Sequence, residues 1–129
     1  GYPGAYRQVI AVGSFDHSDP VARASFSNWG PEIAVAAPGV DVFSTYLGDG
    51  YAQSLGTSFS AAFVSGLAAL LISQEPHRTD DDIRQLLRFT CDDLPDDEAP
   101  NWDGWGRIDI GRALNSRVYH AAVPGIARE

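Results

Sequence analysis

Residues 57–73 show no alternation: Phe59, Ala61, Ala62, Phe63, Val64, Leu67, Ala68, Ala69, Leu70, Leu71 and Ile72 leave few polar positions between them. A run this long exceeds a typical strand and predicts a helix, and apolar residues on nearly every face predict that it lies between layers of a fold. Glu75-Pro76 stops it, because proline has no N–H to continue the ladder. Thr79 then precedes Asp80, Asp81 and Asp82, an N-cap followed by acids in the first turn. Ile83, Leu86, Leu87 and Thr90 give this second helix one apolar face. A last short helix is predicted over 110–117, capped by Asp109.

The stretch before the long helix is β-rich and broken by turns. Residues 9–12 read as a buried strand closed by Gly13. Residues 33–36 and 42–45 read as short strands on either side of Ala37-Pro38-Gly39, where proline and glycine fix a turn. Residues 51–55 are placed to pair with the preceding strand as a hairpin across the turn at 47–50. The segments 15–28 and 92–102 are polar and read as surface loops, the second acidic and containing Pro95 and Pro100. The tail beyond Tyr119 is expected to be loosely held.

Composition narrows the function classes. The 129 residues make at most one domain, and 44% hydrophobic residues suffice for a core. The longest apolar run, 61–72, is interrupted by Ser65-Gly66 and falls short of the ~20 residues of a membrane span. There is no methionine and no basic n-region, so no signal peptide is visible, and a chain opening on Gly1 reads as cut from something longer. The net charge is −8 and all nine basic residues are arginine, which argues against nucleic-acid or anionic-membrane partners. Cys91 is the lone cysteine; it excludes an internal disulfide and reads as a small hydrophobe near a helix end. No metal-ligand spacing accompanies it.

Candidate chemistry centres on Gly56-Thr57-Ser58. A hydroxyl at a helix N-terminus feels the positive end of the dipole, and the free N–H groups there can receive a developing oxyanion. That is how a serine nucleophile is mounted. The plainer alternative is that Thr57 or Ser58 caps the helix. A lipase-type elbow is disfavoured, because Ser60 stands where its second glycine would be.

The run Gly56-Thr57-Ser58-Phe59-Ser60-Ala61-Ala62-Phe63-Val64-Ser65-Gly66 aligns without a gap with Gly-Thr-Ser-Met-Ala-x-Pro-His-Val-Ala-Gly, and so resembles the serine-bearing motif of the subtilisin-like serine proteases, the subtilases. Gly1-Tyr2-Pro3-Gly4-Ala5-Tyr6, Val9 to Gly13, Ala24 to Gly30, Ala36-Ala37-Pro38-Gly39-Val40 and Gly104-Trp105-Gly106-Arg107-Ile108-Asp109 follow in the family's order, over roughly residues 1–114. The resemblance implies the C-terminal portion of an α/β, subtilisin-like three-layer fold over 1–118, with 119–129 as a tail. It implies a secreted, extracellular serine endopeptidase acting on polypeptides, with no catalytic cofactor.

By the same resemblance Ser58 is the nucleophile and its own N–H one oxyanion donor. Gly1, Ser54, Leu55 and Gly56 fall at substrate-binding positions. The triad's Asp and His and the oxyanion Asn are expected on an N-terminal part of the same catalytic domain, which would be this chain's partner. No family context surrounds His17, His77 or His120, which read as solvated loop histidines. Calcium is possible in the full family fold, but the carboxylate position holds Ala34, with Glu32 nearby, so no metal is assigned. Phe59, Ser60, Ala62 and Phe63 depart from the motif, and Phe63 in place of His calls for a more apolar pocket. The alternative is a non-catalytic subtilase-like module that binds or scaffolds peptides. With few strands to cover the central helix, exposed apolar surface is expected, to be covered by the N-terminal segment or by self-association.

Overall fold

A computed structural model describes residues 1–18, 22–94 and 101–116. Strand β1 (Ala11–Phe15) pairs in parallel with β2 (Ile33–Pro38), Ser14 opposite Ala37 and Phe15 opposite Pro38. Strands β3 (Val42–Tyr46) and β4 (Gly50–Ser54) form an antiparallel hairpin, as the turn at 47–50 predicts. Three helices follow: α1 (Thr57–Gln74), α2 (Asp80–Thr90) and α3 (Ile110–Asn115). The architecture is α/β, as expected.

The first strand lies two residues later than the sequence pattern predicts. Val9 is exposed and its N–H closes a turn onto the Tyr6 carbonyl. Gly13 does not end the strand but lies within it, where a Cβ would come 3.0 Å from the Trp102 carbonyl oxygen. Glycine here serves a close backbone approach. The strand then runs on through buried Ser14 and Phe15, so part of the expected 15–28 loop is strand. Residues 95–100 of the expected acidic loop, and 117–129 with the tail and the end of the predicted last helix, lie outside the described residues.

The core forms where α1 lies on the β1–β2 pair. Ser60, Val64, Leu67 and Leu71, spaced at helical intervals, make its buried stripe. Val64, Leu67 and Leu71 meet Val35 and Ala37 of β2, Ile83, Leu86 and Leu87 of α2, and Ala113 of α3. The opposite face of α1 is open among the described residues: Leu70 is 52% exposed and Ile72 46%. The helix therefore packs on one side only, where its composition predicts burial on nearly all. Phe63 is 38% exposed, so no apolar pocket encloses it among the described residues.

Helix α2 starts at a capping box in which the Asp82 N–H donates to Thr79 Oγ1 and the Thr79 N–H donates to Asp82 Oδ2. Helix α3 is capped by Asp109, whose carboxylate accepts the Arg112 N–H. The segment leading into α3 runs along β2, with hydrogen bonds from Trp105 N–H to Ala34 O, Ala36 N–H to Gly106 O and Ile108 N–H to Ala36 O. Gly104 (φ 67°) and Gly106 (φ 119°) are in the left-handed region, and a Cβ on either would collide with backbone of residues 33–34 or 92.

Candidate active site

Helix α1 begins at Gly56, which has φ 146° and contributes no side-chain cap. Thr57 and Ser58 are thus the first two helical residues and neither caps the helix. The Phe59 N–H bonds back to the Gly56 carbonyl, while the N–H groups of Thr57 and Ser58 have no partner among the described residues. Ser58 is exposed, and no described side chain hydrogen-bonds its hydroxyl. An accessible hydroxyl and two free amides stand together at the positive end of an 18-residue helix.

The turn is held from below. The Gly56 N–H donates to the Gly39 carbonyl at 2.8 Å, tying the approach to α1 to the end of β2. Ser60, on the same first turn, is fully buried, its Oγ 3.0 Å from the carbonyl oxygens of both Ala37 and Pro38 and 2.6 Å from Ser14 Oγ. Gly39 sits against both hydroxyls; a Cβ there would fall 2.6 Å from Ser60 Oγ and closer still to Ser14 Oγ. Ser14 is also fully buried and donates its N–H to Ser27 Oγ. The sequence marks Ser60 only as a departure from the motif and Gly39 only as a turn residue, and gives Ser14 no role. The available signal is a hydroxyl at position 60 where the family motif has alanine.

The other predicted site residues are spread over two places. Ser54 ends β4, and Leu55, 60% exposed, leads through Gly56 and Thr57 into Ser58. Gly1 is exposed in a separate turn, its carbonyl accepting the Ala5 N–H, and no hydrogen bond links it to 54–58. His17 and His77 are exposed, following β1 and α1 respectively; His120 lies outside the described residues. At the expected cation position Ala34 is buried, contributes no side-chain oxygen and uses its carbonyl to accept Trp105 N–H. Glu32 is exposed, and no group of three or more His, Cys, Asp or Glu residues that could hold a metal occurs among the described residues. Among the described residues no cluster of carboxylates is placed to hold calcium.

Titration elsewhere is structural. Burial, reinforced by Asp92 and Asp103, pushes the Cys91 thiol up to about 12. Arg107, then Arg112, hold the Asp92 carboxyl below the ordinary carboxylate value through hydrogen bonds of 3.1 and 2.7 Å, against the opposing effect of burial.

Comparison with known proteins decides the family. The profile described as "Subtilase family" matches residues 1–106. The chain belongs to the subtilase family. It is 43% identical over 112 residues to the thermostable alkaline protease of Halalkalibacterium halodurans, covering 87% of this chain and 30% of that protein. It is 40% identical to the halolysin-like extracellular serine protease Nep of Natrialba magadii, covering 89% of this chain and 20% of that one. Among solved structures, fervidolysin from Fervidobacterium pennivorans, a keratinolytic enzyme related to subtilisin, superposes with a TM-score of 0.82 at 28% identity, over 92% of this chain and 21% of the other. The chain thus spans less than a third of these relatives. By length and composition α1 could cross a membrane, as the core helix of a soluble protein also can; its buried stripe packs on the sheet in the manner of a core helix.

Proposed function

We propose that this chain is the nucleophile-bearing, C-terminal part of a subtilisin-like serine endopeptidase. Its substrates are polypeptides, and Ser58 forms the acyl-enzyme. The observation that carries the reading is the exposed Ser58 hydroxyl beside two unpartnered N–H groups at the start of α1. A base removes the Ser58 proton as Oγ attacks the scissile carbonyl, and the charge developing on the carbonyl oxygen meets the Ser58 N–H. The base, the carboxylate that orients it and the second oxyanion donor come from an N-terminal segment of the same domain, in the Asp-His-Ser chain order of the family. Ser54, Leu55 and Gly56 line the cleft beside the serine, and Gly1 lies at the base of the primary specificity pocket. Secretion follows the relatives, one of which is extracellular by name.

The chain alone is inactive on this reading, because removing the base from a serine triad costs orders of magnitude in rate, as it does in subtilisin itself. A fluorophosphonate, which labels only an activated serine, tests the site. The protein carrying its upstream segment is expected to be labelled at Ser58, and the Ser58→Ala variant not at all. Absence of label in the parent would instead favour a non-catalytic peptide-binding module.

A further inference from the structure

The hydroxyl pair beneath Ser58 is built more carefully than packing requires. Ser14 and Ser60 are both fully buried, lie 46 residues apart in sequence, and meet at 2.6 Å. Each hydroxyl has one proton. Ser60 has two carbonyl acceptors, Ala37 O and Pro38 O, both at 3.0 Å, whereas among the described residues Ser14 Oγ has only Ser60 Oγ. Ser14 therefore donates to Ser60, and Ser60 donates in a bifurcated bond to the two carbonyls, the one arrangement that leaves no buried proton unpaired. The chain continues the other way, from Ser14 N–H to Ser27 Oγ and from Ser27 Oγ to Asn28 O. Gly39 closes the assembly: its Cα face admits both hydroxyls, and its carbonyl takes the Gly56 N–H.

We infer that the Ser14–Ser60 pair, seated on Gly39, is a clamp that positions the first turn of α1, and that Ser14 and Ser60 are positioning residues for Ser58. The inference rests on the reading of Ser58 proposed above. Ser60 is two residues beyond Ser58, so a shift of its anchor moves the Ser58 hydroxyl and amide together. Transition-state contacts are sensitive to displacements well under 1 Å, whereas ground-state binding along the strand is less so. Loss of the clamp is then felt in kcat rather than KM.

The test uses the protein with its upstream segment and the variants Ser60→Ala, Ser14→Ala and the double variant, below their melting temperatures. Labelling of the parent by a fluorophosphonate is the control for the Ser58 reading; an unlabelled parent removes that reading and this one together. With a labelled parent, Ser60→Ala is expected to lower both the labelling rate and kcat about fivefold with KM within about twofold. Ser14→Ala, which leaves Ser60 on its carbonyls, is expected to have a smaller effect in the same direction. The double variant is expected to match Ser60→Ala, because both changes break one clamp. Single variants that label at the parent rate, even if they melt lower, would show a merely structural role and overturn the inference. So would a change carried by KM, or a double variant whose loss is the product of the two.

Discussion

Ser58 and Ser60 sit two positions apart on one helical turn and have opposite environments. One hydroxyl is exposed and without a described partner, the other buried among three oxygens, of Ser14, Ala37 and Pro38, that fix its place. Cys91 is a third case, a thiol whose surroundings suppress its chemistry. With its pKa pushed up to about 12, chiefly by burial, it stays protonated through the physiological range, and the thiolate is the reactive form. The folded protein is expected to take up no iodoacetamide at about pH 8 and one equivalent on unfolding; rapid native alkylation would show that the thiol is more open than this. The place of Ser58 at the start of a helix could be read from the apolar run that follows it. The buried setting of Ser60 could not, since its partners are 46 and about twenty residues away, and no local pattern announces a contact at that range.

At the scale of elements, the patterns that work are those whose cause is local. The hairpin follows from its turn, and α2 from Thr79 and the three aspartates that follow it. The end of β1 differs from its sequence signal because Gly13 reads locally as a turn, while its cause in the fold is the approach of the Trp102 carbonyl from a distant segment. The junction of α2 and α3 is likewise non-local. Asp92 exchanges backbone hydrogen bonds with Arg107 and takes side-chain bonds from Arg107 and Arg112. Folding lowers the Asp92 pKa, so the stability it provides is complete above about pH 4, the unfolded value, and fades as pH falls through the folded one. The arginines are 36% and 52% exposed, which limits the gain to about 1 kcal/mol or less. Asp92→Asn is expected to lower the melting temperature at neutral pH, and the difference from the parent to shrink progressively as pH falls below about 4. An equal loss at neutral and acid pH would assign the effect to packing.

As a whole molecule the chain leaves much apolar surface open among the described residues. Beyond the open face of α1, the hairpin exposes Phe43, Tyr46, Leu47 and Tyr51, with Phe43 and Tyr51 stacked 5.4 Å apart. Apolar surface on this scale is covered in a stable protein. The isolated chain is therefore expected to bind an apolar dye or to associate, and the protein with its upstream segment to do neither. A dye-free monomer melting cooperatively would argue that the chain is complete in itself. The composition anticipates this exposure, since one long apolar helix exceeds what four short strands can cover. The proposed function makes the same demand, since it takes the groups that activate Ser58 from an N-terminal segment. The most direct test is peptide hydrolysis by the purified 129-residue chain, measured beside the protein that carries the upstream segment. The account predicts no turnover by the chain alone and turnover by the longer protein that vanishes in Ser58→Ala; robust hydrolysis by the chain alone, abolished by the same substitution, would contradict it.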